Sequence, residues 1–313
     1  GFPVVGVYDP EQNKARALAD RWGVGVFTTI DEAVTVTDAI FDLATPPGAH
    51  ADVMERLPKG AFALIQKPMG DDLGCASRIF EICRRKDLSA AVNFQLRFAP
   101  MMIALADAVD QGWLGDVVDC DVSIALSTPW ELWPFLEGLP RIEIAMHSIH
   151  YLDLIRGLLG EPSGVHAKTM GHPSHAVAQT RTSAILDYGE DLRCTLSINH
   201  DHKFGRRHQS CAFKICGTEG AAFLQLGVNL DYPKGEPDIL EICPRGGTWT
   251  TVALDGAWFP DAFAARMANL QRCAAGEDEV LLAAVDDAWR TMALVEAAYQ
   301  SSASPATLIA RGP

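Results

Sequence analysis

Short apolar runs alternate with amphipathic segments along the first third of the chain. The apolar runs have the length of single strands, and the segments between them have the apolar spacing of helices. Buried strands that alternate with helices are typical of βαβ units and of a parallel sheet covered on both faces. The predicted strands are residues 3–9, 39–44, 61–65 and 89–94, and the predicted helices are residues 10–22, 50–57 and 71–86.

Longer strand-like segments follow, and turn signals join neighbouring ones as in antiparallel hairpins. We therefore predict two α/β domains, a parallel-sheet domain over residues 1–98 and a second domain over 99–313. The second domain has an open, mostly antiparallel sheet backed by helices, among them one over about 142–159. Its predicted strands are residues 117–126, 164–170, 180–188, 192–200, 212–216, 221–226 and 239–243.

Charge and cysteine content exclude several classes of protein. Lys and Arg number 26 against 40 Asp and Glu, and the formal net charge of −14 disfavours a nucleic-acid partner. The eight cysteines form no C-x-x-C pair, so we expect neither a zinc knuckle nor a disulfide framework. No apolar run reaches the roughly 18 residues of a membrane span, and no signal peptide is visible. We expect a cytoplasmic protein with no membrane partner.

Polar residues follow three of the predicted parallel strands. Asp9 ends the first strand. An acid at this position binds a ribose diol and repels the 2′-phosphate of NADP. The alternative interpretation is that Asp9 only caps the next helix. The second strand is followed by Thr45, Pro46 and His50. Prolines stiffen this loop, which could approach a ligand, although a plain strand-to-helix turn has the same composition. Lys67 lies at the mouth of the sheet, where burial disfavours its charge and suits it to orient a substrate hydroxyl. An exposed surface lysine is the alternative interpretation.

Two histidines and an acid share one face of the predicted helix over 142–159. Glu143, His147 and His150 lie at i, i+4 and i+7. A histidine oriented by a carboxylate is a general acid or base, whereas Glu with two His could bind a divalent metal. We favour acid–base chemistry and predict no metal, because no Cys or Asp motif completes a metal site.

Aromatic and polar residues suited to polyol recognition occur in two further segments. Trp130 and Trp133 flank a proline in a predicted loop. His200 lies in the polar run Asn199-His200-Asp201-His202 at the end of a predicted strand. Aromatic platforms beside hydrogen-bonding groups are typical of sugar sites, although a solvated turn has the same composition.

The order and spacing of these motifs resemble the Gfo/Idh/MocA family of sugar and polyol oxidoreductases over nearly the whole chain. The segment with Trp130, Trp133 and residues 146–150 resembles the D-apiose dehydrogenase-like branch. The matching motifs are the acid-ended strand 4–9, Ala44-Thr45-Pro46-Pro47-x-x-His50, Gln66-Lys67-Pro68 where the family has Glu-Lys-Pro, Val92-Asn93-Phe94-Gln95-Leu96-Arg97-Phe98, Gly112-x-Leu114-Gly115, His150-x-x-Asp153 followed by Leu158-Leu159-Gly160, and Gly217-Thr218-Glu219-Gly220.

The resemblance implies a Rossmann-type doubly wound domain over 1–98 and a substrate and oligomerisation domain over 99–313, in a homodimer or homotetramer. It implies NAD(P)-linked hydride transfer at a carbinol or hemiacetal carbon of a small sugar or polyol, such as the aldose D-apiose. With Asp9 in place, NAD is expected rather than NADP. Two rival functions remain on the same scaffold, a non-redox sugar enzyme that uses NAD (a glycosidase or a lyase) and a non-catalytic sugar or NAD sensor.

Individual roles follow from the matching motifs. Lys67 and His150 correspond to the proton-transfer pair, and His147 is the additional catalytic candidate. The predicted cofactor contacts are Asp9, Thr45, Pro46, His50 and Lys67. The predicted substrate contacts are Lys67, Asn93, Arg97, Trp130, Glu143, His147, His150 and His200.

The sequence departs from the family pattern in two places. Met146 occupies the position four residues before His150 where the family often has Asp, so either His147 or Glu143 supplies the second polar group. Gly1 corresponds to a point just before the family's second strand, so the family's first strand and its glycine-rich phosphate loop have no counterpart in the sequence. We expect an incomplete or renumbered chain rather than a truncation, which should destabilise the sheet.

Overall fold

The chain folds as two compact units. The computed structural model describes residues 2–133, 136–174 and 176–310. The first unit contains Gly1–Asn93 and Arg266–Arg290, and the second contains Phe94–Ala265 and Thr291–Pro313. The segment 266–290, which the sequence analysis placed in the second domain, contacts the fifth strand of the first unit. Arg266 Nε donates to the carbonyl of Val92 at 3.3 Å, and backbone pairing joins Ala284 to Ala91.

The first unit carries five parallel strands in two groups. Strand β1 pairs with β2, while β4 lies between β3 and β5. In the order 3-2-1-4-5-6 of doubly wound sheets, β2 and β1 correspond to strands 3 and 2, and β3 to β5 correspond to strands 4 to 6. The predicted Rossmann-type parallel sheet is confirmed. Its elements are β1 (Gly6–Val7), α1 (Gln12–Trp22), β2 (Gly25–Val26), α2 (Ile30–Ala33), β3 (Ile40–Leu43), α3 (His50–Arg56), β4 (Phe62–Ile65), α4 (Leu73–Lys86) and β5 (Ser89–Val92).

Helix α1 begins later than its capping signal predicts. The sequence predicts Asp9 as the N-cap and Pro10 as the first helical residue, but the N-cap is Glu11. Asp9 Oδ1 instead accepts a hydrogen bond from the backbone N–H of Glu11 at 2.7 Å. This bond closes a side-chain turn over three residues, which delays the first helical turn. The capping prediction for Asp9 is therefore wrong.

The second unit is built on one eight-stranded sheet in the order β13-β12-β11-β10-β6-β9-β8-β7. Neighbouring strands are antiparallel except β6 and β9, so the predicted mostly antiparallel sheet is confirmed. The strands are β6 (Val117–Ala125), β7 (Gly164–Met170), β8 (Arg181–Asp187), β9 (Arg193–Asn199), β10 (Ser210–Gly217), β11 (Gly220–Gln225), β12 (Ile239–Pro244) and β13 (Thr250–Thr251). The later helices are α5 (Pro100–Asp110), α6 (Ile149–Leu159), α7 (Asp261–Ala274) and α8 (Val285–Ala303).

One face of this sheet packs against α6. Alternate residues of β6 are buried, and the ring of Tyr151 in α6 lies 5.8 Å from that of Phe213 in β10. Among the described residues, no helix has both the length and the apolar content needed to cross a bilayer.

The helix predicted over 142–159 divides into two parts. Glu143–Ser148 is π-helical, and α6 follows it directly. Residues i and i+5 face each other on a π-turn, and Ser148 Oγ accordingly donates to Glu143 Oε1 at 2.7 Å. The α-helical spacing assumed for this segment is therefore wrong, with consequences for the side chains that it carries.

Candidate active site

The predicted site residues of the first unit lie just beyond the carboxyl ends of its strands. Asp9 follows β1, Thr45 follows β3, Lys67 follows β4 and Asn93 follows β5. Because β3, β4 and β5 are parallel neighbours, the last three residues lie along one edge of one sheet. Ligands of doubly wound folds bind at this edge.

The loop from Thr45 to His50 is braced by its own histidine. His50 is fully buried, and its Nε2 lies 2.9 Å from the carbonyl oxygen of Thr45. A carbonyl only accepts, so Nε2 carries the hydrogen and Nδ1 is an acceptor. Burial lowers the pKa of His50, which favours this neutral form. Neither His50 Nδ1 nor the buried Thr45 Oγ1 has a hydrogen-bond partner among residues 2–133, 136–174 and 176–310.

A chain of hydrogen bonds crosses the carboxyl edge of β3, β4 and β5. Gln66 Nε2 donates to Asp42 Oδ1 at 3.2 Å, and Asn93 Nδ2 donates to Gln66 Oε1 at 2.9 Å. A carboxylate only accepts, so Asp42 fixes the orientation of both amides. Asn93 Oδ1 is then an acceptor with no hydrogen-bond partner in the part of the chain that the structure describes. Sequence reasoning missed Asp42, although an acid inside an apolar strand could have signalled it.

Lys67 lies beside this hydrogen-bond chain along the backbone. Its side chain is partly buried, and burial lowers its pKa from 10.5 to about 8. Such an amine is present in both protonation states near neutral pH and can therefore exchange protons with a bound hydroxyl.

His150 and Arg97 occupy a braced region of the second unit. The buried His150 ring is edge-on to Phe94, with centroids 6.4 Å apart. One helical turn later, the fully buried Asp153 accepts from Arg97 Nε at 2.5 Å and from Nη2 at 2.7 Å. Gly157 makes room for this pair, because a Cβ there would lie 2.8 Å from the guanidinium carbon. Arg97 thus ties the segment after β5 to α6, and its contact with substrate stays a prediction.

Four predicted substrate residues come together in the second unit, and we call them the imidazole cluster: Trp130, Glu143, His147 and His200. The ring centroids of His147 and His200 lie 4.5 Å apart, and Trp130 is edge-on to both, at 5.3 and 5.7 Å. His200 Nε2 lies 3.4 Å from Glu143 Oε1. His150 lies against Phe94 instead. The predicted common face of residues 143, 147 and 150 is therefore wrong, because the π-turn changes the spacing.

Met146 belongs to the apolar packing beside this cluster. It occupies the position at which the family often has Asp, and it packs against buried apolar residues of the same unit. Across 2–133, 136–174 and 176–310, no group of three or more His, Cys, Asp or Glu has the arrangement of a metal site. The apolar cluster comprises Trp130, Leu136, Ile142 and Val177, with Trp133, Leu139 and Met146 against it.

Two family models match the chain, one in each unit. The model described as the oxidoreductase family with an NAD-binding Rossmann fold matches residues 1–94. The model described as the GFO/IDH/MocA C-terminal domain matches residues 102–223. Together they cover more than half of the chain.

Relatives and solved structures agree with these matches. The chain is 24% identical to D-apiose dehydrogenase of Paraburkholderia graminis over 96% of its own length and 81% of the relative. It is 30% identical to inositol 2-dehydrogenase of Rhizobium meliloti over 50% of its length and 48% of the relative. An Agrobacterium radiobacter oxidoreductase in complex with NAD+, L-tartaric acid and magnesium shares the fold, with a TM-score of 0.77, 21% identity, and coverage of 96% of this chain and 88% of that one. The chain belongs to the Gfo/Idh/MocA oxidoreductase family, and its first unit has the family's NAD-binding Rossmann fold.

Proposed function

We propose that the protein oxidises a small sugar or polyol at a carbinol or hemiacetal carbon with NAD as the hydride acceptor. The observation that carries the proposal is Lys67, an amine with a pKa of about 8 at the carboxyl edge of the parallel sheet. The names of two relatives, D-apiose dehydrogenase and inositol 2-dehydrogenase, support this substrate class and make D-apiose the first aldose to test.

The first unit has the polar groups that a dinucleotide requires. Thr45 Oγ1 and His50 Nδ1 are buried polar atoms that the described residues leave without hydrogen bonds, which fits a ligand at the edge that follows β3. Oδ1 of Asp9 accepts the hydrogen bond that closes its own turn, and Oδ2 is the oxygen that would accept from a ribose diol. Bound NAD supplies the hydride acceptor. We propose that the residues that hold it are Asp9, Thr45, Pro46, His50 and Lys67.

The protein's own residues manage the proton in this proposal. The substrate C–H bond breaks with its electron pair leaving as hydride, the O–H bond loses its proton, and a C=O bond forms. Neutral Lys67 orients the reacting hydroxyl and relays its proton, which His150 takes, and His147 is the second polar group. The proposed substrate contacts besides Lys67, His147 and His150 are Asn93, Arg97, Trp130, Glu143 and His200.

Asp9 sets the cofactor preference in this proposal. We expect Asp9→Ser to lower the ratio of kcat/KM with NAD to kcat/KM with NADP by about tenfold or more, because a charge that repels the 2′-phosphate is removed. The measurement is the initial rate with each cofactor at saturating substrate. Asp20→Ser removes an exposed acid of α1 and is the control. An unchanged ratio in Asp9→Ser would contradict the assignment.

Formation of NADH, followed by absorbance against a panel of aldoses and polyols, tests the function. A dehydrogenase gives one NADH for each substrate oxidised. Turnover of substrate without net NADH would instead show a glycosidase or lyase that uses NAD transiently, and sugar binding without turnover would show a sensor. Activity should survive dialysis against a chelator. A homodimer or homotetramer and a cytoplasmic location stay predictions, to be tested by light scattering and cell fractionation.

A further inference from the structure

Within the imidazole cluster, the half-buried His147 lies in front of a buried histidine, His200, and a buried acid, Glu143. His200 is 2% exposed and Glu143 is 0% exposed. We propose that Glu143 and His200 form a buried pair that fixes the orientation of the His147 imidazole, and that both act as positioning residues for proton transfer in place of the direct substrate contacts expected from the sequence. This inference rests on the proposed dehydrogenase activity and deepens it.

The carboxylate of Glu143 is held from three separate elements. Ser148 Oγ of the π-turn donates to Oε1 at 2.7 Å, and Thr182 Oγ1 of β8 donates to Oε2. His200, just beyond β9, places Nε2 3.4 Å from Oε1, which is within ion-pairing distance. A buried carboxylate needs hydrogen-bond donors, and the hydroxyls of Ser148 and Thr182 supply them.

Both nitrogens of His200 have fixed neighbours. Thr128 Oγ1 lies 2.8 Å from Nδ1, and Nε2 faces the carboxylate of Glu143. Nε2 forms no hydrogen bond among the described residues, and its contact with Glu143 is the 3.4 Å approach to the carboxylate, while the hydroxyl of Thr128 can donate to Nδ1 or accept from it. Thr128 on one side and Glu143 on the other therefore define the position of the His200 ring.

His147 is held by rings on two sides. The centroid of His200 lies 4.5 Å from that of His147 at an interplanar angle of 45°, and Trp130 meets His147 edge-on at 86°. The packing restricts the rotation of the His147 ring, and His200 in turn lies 3.4 Å from the carboxylate of Glu143. Met146 packs against the apolar cluster, so in this proposal Glu143 takes the place of the acid that the family often has at that position.

Two substitutions test the pair, His200→Ala and Glu143→Gln. Each is expected to lower kcat by about 10- to 100-fold, as removal of an orienting partner does elsewhere. KM should change less than about threefold and the Kd of NAD should not change, because the pair acts through His147. A larger rise in KM would show that Glu143 and His200 contact the substrate directly and would overturn the proposal. Added imidazole should restore part of the activity of His200→Ala but none of Glu143→Gln. His166→Ala removes an exposed histidine of β7 and is the matched control.

A spectroscopic measurement tests the pair without substrate. In protein labelled with ¹⁵N-histidine, the nitrogen shifts of His147 respond to the surroundings of its ring, and both substitutions should change them while His166→Ala should not. Unchanged His147 shifts in either folded variant would overturn the proposal, whatever the activity. If His200→Ala fails to fold, the isosteric Glu143→Gln decides the outcome. If no sugar or polyol of the panel supports NAD reduction by the wild-type protein, the proposed function fails. The nitrogen shifts then still decide whether the pair positions His147.

Discussion

Replacing Lys67 by methionine is expected to lower kcat for sugar oxidation by about 10²- to 10⁴-fold, the usual contribution of positioned proton transfer. Methionine keeps much of the side-chain volume but accepts no proton from a hydroxyl. NAD binding should survive, because Asp9, Thr45 and His50 are unaltered. The measurements are kcat on the best substrate of the panel and the Kd of NAD. Lys59→Met, at an exposed lysine of the same unit, is the control.

The same substitution, Lys67→Met, is expected to stabilise the protein although it lowers turnover. The pKa of Lys67 is about 8 in the folded chain, below its ordinary value of 10.5. Between these values the unfolded chain binds more protons, so the free energy of unfolding rises with pH across that window. The penalty of a buried ammonium is fully present below pH 8. Lys67→Met removes it and should raise the free energy of unfolding at pH 7 by up to about 3 kcal/mol. Loss of turnover in a more stable variant would exclude unfolding as its cause.

The same pKa gives the oxidation rate its pH dependence. The rate of the wild-type protein should rise as pH passes through about 8, because the neutral amine of Lys67 is the form that accepts the hydroxyl proton. Lys67→Arg keeps the charge at every accessible pH and should be inactive. Near-normal turnover in Lys67→Met would show that the lysine assignment is wrong.

Replacing Asp153 by alanine is expected to lower the free energy of unfolding by about 3–5 kcal/mol, the cost of breaking one side of a buried ion pair. Asp153 accepts two hydrogen bonds from Arg97 and a third from Thr291 Oγ1 at 2.8 Å. The Arg97 side chain is only 16% exposed, so the variant leaves its charge poorly solvated. Chemical denaturation of the full chain measures the loss. Activity should also fall, because Asp153 anchors the helix that carries His150.

A surface ion pair is the control for this prediction. Asp119 accepts a hydrogen bond from Arg193 at 2.7 Å, and the Arg193 side chain is 67% exposed. Exposed pairs contribute roughly 0–1 kcal/mol, so Asp119→Ala should change stability little. Equal effects of Asp153→Ala and Asp119→Ala would mean that burial of the Arg97 pair is not what stabilises this region.

The sequence alone was sufficient for the residues that follow the parallel strands. An apolar run ends at or just before each of Asp9, Thr45 and Lys67. Each run predicts a strand whose carboxyl end lies within a few residues of that position. Parallel strands linked by helices end at one edge of their sheet, so chain order predicts which side chains lie there. The parallel sheet and the mostly antiparallel sheet were predicted for the same reason, since apolar periodicity is local.

Contacts between distant segments could not be predicted in this way. Gln66 was identified only as a departure from the family motif, and the structure shows that Asp42 and Asn93 fix its amide. Thr128 and Thr182 contact the histidine and the acid of the imidazole cluster. Their role could not be predicted, because a threonine in a loop or a strand is not unusual in a sequence. Their partners lie on other elements, so no periodicity along the chain connects them.

The sequence by itself determined the two sheets, the motifs at the strand ends and the set of candidate side chains. Tertiary structure alone decided how residues 143–150 are arranged. The backbone N–H of Ile142 donates to Gln179 Oε1 at 3.0 Å, and that of Ala145 donates to Tyr299 Oη at 3.2 Å. These distant side chains satisfy backbone donors of the first helical turn, which no carbonyl of the helix itself can reach. The π-helical spacing that begins there places His147 beside His200 and His150 beside Phe94, and neither these partners nor the spacing can be read from local propensity.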